Sequence, residues 1–209
     1  VAGLIAAHAP PVRSDRYGGR VTEVSGAVTA YLTEHLGMQP QKASVTFLGV
    51  EPIDVLRFQT DSGLVYVTSG CARHPMSDPS DFNPDPVRGP RAEIVVRMQS
   101  GVALPGLHKR LATVAAAPAV EGLILAADAL IDLGEPLWDG SACTALVLEP
   151  DDLGAVPLPE PMDPVTLLRA IPITANEAAW VRLKGVDALR EAWTEAAIDV
   201  TSPTRSAAS

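Results

Sequence analysis

Cysteine and aromatic residues are scarce in this chain. Two thiols, Cys71 and Cys143, in 209 residues exclude a disulfide scaffold. A chain of that length buries a core without staples. Aromatic residues make up only 4% of the total, so the 47% apolar content must rest on Val, Leu, Ile and Ala. Cations are also in deficit. The formal net charge is −9, a field that repels phosphate backbones and argues against nucleic acid as a direct partner. Long hydrophobic runs are missing too. The apolar stretch Val1–Ala9 has no basic lead and is too short to span a bilayer. No signal peptide and no membrane contact are therefore expected, and the expected location is the cytoplasm. A phosphate loop, a Gly-x-Ser-x-Gly elbow and a His-Glu-x-x-His pair are all missing.

What is present is a mixture of two periodicities. Residues 1–19 read as a lead-in. Val21, Val24, Val28, Tyr31 or Leu32, and Leu36 then fall on one face at helical spacing. Strands are predicted over 43–50, 54–60 and 64–68, with Asp61-Ser62-Gly63 as a turn. The short connections favour antiparallel pairing. Residues 69–90 hold five prolines and no periodicity, the mark of a functional or mobile loop. The pattern predicts a strand at 91–98, with Ile94, Val96 and Met98 inward and Glu93 and Arg97 on the opposite face. A helix follows at 106–117, ended by Pro118. Further strands are predicted at 122–125, 129–133, 142–149 and 165–173. Prolines are expected in the connections.

Two helices close the domain. Thr174 and Glu177 have capping-box spacing at the first, and Asp187 is placed to cap the second. Residues 199–209 read as a flexible tail. The predicted architecture is α+β, a single domain over 20–198 with a mixed, mostly antiparallel sheet flanked by helices.

Chemistry is thinly represented. Cys71 and His74 have metal-ligand spacing, and Cys143 and His108 could complete a set of four. Structural zinc sites come as two tight pairs, however, and only one pair here is tight. Cys143 reads more simply as a small core residue. A Cys71–His74 nucleophile pair with Asp78 or Asp81 behind the imidazole is the alternative. Against it, His74-Pro75 has the composition of a shaped turn. The expectation is no catalytic residue, no metal and no cofactor. The rivals are a thiol- or metal-dependent enzyme and a structural subunit of a larger assembly.

Four segments carry a resemblance. Val67-Thr68-Ser69-Gly70 runs into His74-Pro75-Met76. Glu93-Ile94-Val95-Val96-Arg97, Pro172-Ile173-Thr174-Ala175-Asn176-Glu177 and Gly185-Val186-Asp187-Ala188-Leu189 follow in that order. Together they resemble the suppressor of fused domain family, of the bacterial single-domain type. Cys71-Ala72 departs from that pattern, where the family often carries a serine after the turn. The resemblance implies a non-enzymatic protein-binding module. Its finer implication is an immunity protein that neutralises a partner toxin. An acidic surface suits a basic protein partner. Arg73, His74, Met76, Glu93 and Arg97 are the expected contact residues, at a groove or sheet edge beside the 69–90 loop.

Overall fold

The structure, a computed structural model, describes residues 15–78, 80–205 and 207, with nothing said of the side chains of 15–22. In chain order the elements are α1 (Asp15–Leu36), β1 (Gln41–Phe47), β2 (Val50–Thr60), β3 (Gly63–Ser69), β4 (Arg91–Met98), α2 (Leu107–Glu121), β5 (Leu130–Asp132), β6 (Cys143–Val156), β7 (Val165–Thr174), α3 (Ala175–Lys184) and α4 (Val186–Glu195). Seven strands form one sheet in the order β1-β2-β3-β4-β7-β6-β5. Neighbours are antiparallel except β4 and β7, which run parallel with Arg91 opposite Val165 and Val95 opposite Arg169. This is the mixed, mostly antiparallel α+β single domain that the alternating periodicities predict.

Both faces of the sheet are covered. On one face, α2 lays Leu107, Leu111 and Val114 over Ile53, Val55, Tyr66, Ile94, Val96 and Leu146. On the other, α1 lays Val24, Val28 and Leu32 over Leu56, Phe58, Val67, Val95 and Leu167. These three helical residues are at most 1% exposed, and each contributes roughly 1.5–3 kcal/mol by leaving water. Further along that face, Ala178, Val181, Leu189 and Trp193 of α3 and α4 cover Val147, Ile171 and Ile173.

Several boundaries differ from expectation for physical reasons. Most of the expected lead-in lies outside the described residues, and from Asp15 onward the chain is already helical. Pro118 sits inside α2, which continues to Glu121 before Gly122 closes it in the left-handed conformation. The 122–125 segment pairs with no strand. β6 runs past Pro150 to Val156, with an irregularity between Pro150 and Ala155. Pro52, Pro150 and Pro172 therefore lie within strands rather than connections. Among the described residues each sits where its strand pairs on one side only: Pro52 beyond the end of β3, Pro150 beyond the end of β5, and Pro172 beyond Arg169, the last β7 residue paired with β4. A residue with no ladder bond to donate on its open side is tolerated there. Gly185, not Asp187, caps α4, although Asp187 does occupy its first turn.

The expected tail is also docked as far as Arg205. The Gln99 amide donates to the Thr201 carbonyl at 2.9 Å, and the Gln99 side chain donates to Asp199 at 2.7 Å. Arg205 reaches Glu177 at 2.7 Å, with its side chain only 5% exposed.

Candidate partner-binding surface

Strand β3 stops at Ser69, opposite Asp54, while β2 continues outward to Val50. The space that a longer β3 would occupy is filled by the turn Gly70–His74. Gly70 has φ 144°, a conformation that side-chain-bearing residues rarely adopt. A Cβ there would also come within 3.1 Å of the Arg73 guanidinium and the Ile53 side chain. Sterics at this corner therefore call for glycine.

One buried carboxylate organises the turn. Glu93 Oε1 accepts from the Gly70 and Ala72 amides at 2.7 and 3.0 Å. Its Oε2 accepts from the Thr68 hydroxyl at 2.6 Å, and the Thr68 oxygen in turn accepts from the Ile94 amide at 2.9 Å. Burial pushes the Glu93 carboxyl up from its ordinary range, and these hydrogen bonds only partly oppose the shift. Arg91 is a second buried tie. Its guanidinium donates to the Ala72 and Arg73 carbonyls at 2.6 and 2.9 Å and to the Val87 carbonyl at 2.9 Å. It thus links both ends of the long loop, and the Met76 amide closes the loop base on the Pro90 carbonyl at 2.8 Å.

The expected contact residues separate into an inner and an outer set. Glu93 is 0% exposed and Met76 5%. The face of β4 that carries Glu93 was expected to be open, but the α1 layer covers it. Met76 packs inward, where its sulfur accepts from the Leu125 amide at 3.4 Å. Arg97 lies about 13 Å further along β4, at the usual strand rise, and forks onto the buried Asp151 at 3.0 and 2.7 Å. That pairing raises the Arg97 pKa and places the residue outside the turn.

Arg73 bends back into the corner. It donates to the Ser25 hydroxyl at 3.1 Å and the Pro52 carbonyl at 2.5 Å, so its side chain substitutes for the missing strand. Of the five, only His74 is widely open to solvent, with Glu51 at 3.9 Å.

Two clefts flank Arg73. The larger, about 1030 Å³, is a trough between α1 and the β1–β2 hairpin, lined in part by Ser25, Gly26, Thr29, Glu34, Lys42 and Asp54. The smaller, about 360 Å³, opens on the opposite face of the sheet, towards α2. Glu51 and Arg73 border both. Strand β1 forms one border of the sheet, and among the described residues it pairs with β2 alone. The loop beyond Met76 leaves Phe82 fully exposed.

The thiol readings gain no support. Among the described residues no group of three or more His, Cys, Asp or Glu side chains is arranged to hold a metal ion. Burial pushes the Cys71 thiol well up, and the Glu93 carboxylate pushes it further. Burial raises Cys143 as well. A nucleophilic cysteine needs the opposite environment. Among the described residues no helix is long and apolar enough to cross a membrane.

Arg91, Glu51, Ser25 and Gly26 belong to this surface and went unmarked in the sequence. Arg91 could have been suspected from its place at the end of the long proline-rich loop, sharing a strand face with Glu93. The α1 residues carry no local signal, because they reach the site only by packing across the sheet.

Known proteins give a coherent comparison. A family model described as suppressor of fused protein matches residues 49–206. A suppressor of fused homologue from Neisseria gonorrhoeae has the same fold, with a TM-score of 0.61 at 17% identity over 90% of this chain and 98% of that one. The structure of a Sufu–Fu complex contains a similar chain, with a TM-score of 0.60 at 16% identity over 88% and 91%. Drosophila Suppressor of Fused matches with a TM-score of 0.55 at 15% identity, over 80% of this chain and 47% of its own length. A search of curated proteins finds no match.

Proposed function

The chain belongs to the suppressor of fused family, and from that premise we propose that it is a non-enzymatic protein-binding module of the cytoplasm. The observation that carries this reading is the border of β1, with no strand paired to it among the described residues, beside the large trough. An open strand edge offers backbone donors and acceptors to an extended segment, and a neighbouring groove sorts that segment by its side chains. The complex of a similar chain with Fu supports a protein as the class of partner.

Charge narrows the partner. Glu34, Glu51 and Asp54 border the trough against Lys42 and Arg73. Lys42 is taken by Asp54 at 3.1 Å, and Arg73 is turned inward. With a net charge of −9 behind that rim, a basic partner is steered towards it. The finer reading is an immunity protein that neutralises a basic toxin domain. His74 is the outer contact residue in this reading, while Arg73, Glu93 and Met76 act from inside by shaping the turn.

Gly26 provides the test. It lies on α1 facing the trough, and a Cβ there meets nothing within 4 Å. Gly26→Trp therefore fills the trough without disturbing the core. Affinity capture from the native cytoplasm at moderate salt should retain a basic protein on the parent chain and lose it on Gly26→Trp. If no protein is retained by the parent chain above an unrelated acidic domain, the reading fails.

A further inference from the structure

The smaller cleft has a different chemistry from the trough. Its walls come from the β1–β2 hairpin, the chain just after the turn, and α2. Val50, Ile53, Pro75, Ala115, Ala116 and Ala119 supply most of the apolar lining. The hollow exists because α2 presents alanines to it where larger side chains would fill the space. A volume of about 360 Å³ stands at the small end of ligand pockets. It suits one large side chain.

Two further observations point to an occupant. Exposed apolar residues adjoin its lining in sequence. Leu48, at the hairpin tip beside the lining Gly49, is wholly exposed, and Val120, beside the lining Ala119, is 62% exposed. Glu51 stands on the rim, half exposed, with Arg73 at 3.7 Å and His74 at 3.9 Å. Neither the Arg73 guanidinium nor the His74 imidazole is within hydrogen-bond range of the carboxylate. Arg73 spends its donors on Ser25 and Pro52. The oxygens of Glu51 can therefore take a cation from a partner.

We infer that this pocket anchors one large aliphatic or aromatic side chain of the protein partner, with a Lys or Arg beside it in the partner's sequence reaching Glu51. A buried apolar anchor ringed by polar contacts is the arrangement that concentrates binding energy at protein interfaces. The inference rests on the protein-binding reading above and adds the chemistry of the partner segment.

The test uses the full chain and a phage-displayed random dodecapeptide library. Selected peptides should converge on a large apolar residue next to Lys or Arg. Ala119→Trp fills the pocket from exposed ground on α2, and Ser77→Trp fills it from the loop side should the first variant not fold. Either should weaken a selected synthetic peptide by about thirtyfold or more. Glu51→Lys should weaken it by about tenfold and flatten its salt dependence. Failure to enrich any peptide, convergence on acidic sequences, or binding that survives the filled pocket would overturn the inference. The two readings fail separately. If the native partner is lost by Gly26→Trp but kept by Ala119→Trp, the module stands and the anchor pocket falls. If the parent chain retains no partner, the module reading falls first.

Discussion

Two glutamates, Glu93 and Glu177, are both wholly buried, and they are solved in opposite ways. Glu177 sits in the corner where β7 enters α3. It closes a capping box with Thr174, receives the Trp193 indole at 2.8 Å and is gripped by Arg205 at 2.7 and 3.0 Å. Glu93 sits under the turn, and its donors are neutral: the Thr68 hydroxyl and backbone amides of the turn, those of Gly70 and Ala72 among them. The first is a lock between the chain's C-terminal stretch and its core, with charge matched by charge. The second shapes a surface loop from below, and the carboxyl is held above its ordinary pKa by burial. The locked corner lies under the last helices, and the unmatched charge lies under the proposed partner site. Less compensated polar groups often gather where a fold serves binding rather than stability.

The contrast can be broken from the locked side first. Arg205→Ala removes the guanidinium partner of a buried carboxylate, and it should cost about 3–5 kcal/mol by urea denaturation. A change below about 1 kcal/mol would show that the corner does not hold the C-terminal stretch. Glu93→Ala is the next largest. It strips the acceptor from the Gly70 and Ala72 amides and the Thr68 hydroxyl, at about 3 kcal/mol. Amide exchange should accelerate at residues 70–76 and not in α3.

Glycines sharpen the same comparison. Gly70→Ala must strain φ and press on Arg73 and Ile53, and it should cost about 2 kcal/mol. Gly185→Ala, at φ 86° with open space around its Cβ, bears the backbone cost alone, about 1 kcal/mol. Equal losses would mean that the turn is not sterically tight.

The smallest expected effect is in pH. The folded pKa of Glu93 is raised, so the folded state holds its proton longer than the unfolded state. Stability therefore falls as pH rises from the ordinary carboxylate range through the raised value. Glu93→Gln should remove that slope at a cost of about 1 kcal/mol, because the amide oxygen still accepts from the two backbone donors. An unchanged slope in Glu93→Gln would assign it to another group.

How much of this was legible follows from how far each signal reaches. The capping box at Thr174 and Glu177 was plain, because its partners lie three residues apart. The Arg205 half of the same corner was hidden, because a polar terminal stretch reads as a tail until something distant receives it. At the turn, the Gly70 and His74-Pro75-Met76 pattern marked the place. It did not show that Glu93 and Met76 point inward, and two of the expected contacts were lost on that ground. Arg97 is paired with Asp151, which sits in an irregular stretch of β6 with no periodic signal.

By itself the sequence determined the class of the fold and the position of its principal elements. Helical and strand periods and a local cap act over a few residues, and distant packing does not erase them. It also marked the turn as the place of interest. Only the tertiary structure decided which residues of that turn meet solvent. Alternation along β4 tells which side chains share a face, but it does not tell whether that face is covered. The answer came from α1, which lies far away in sequence and packs over Glu93's side of the sheet. Burial, and with it the shifted carboxyl and the inward Arg73, belongs to the assembled layers and not to any single segment.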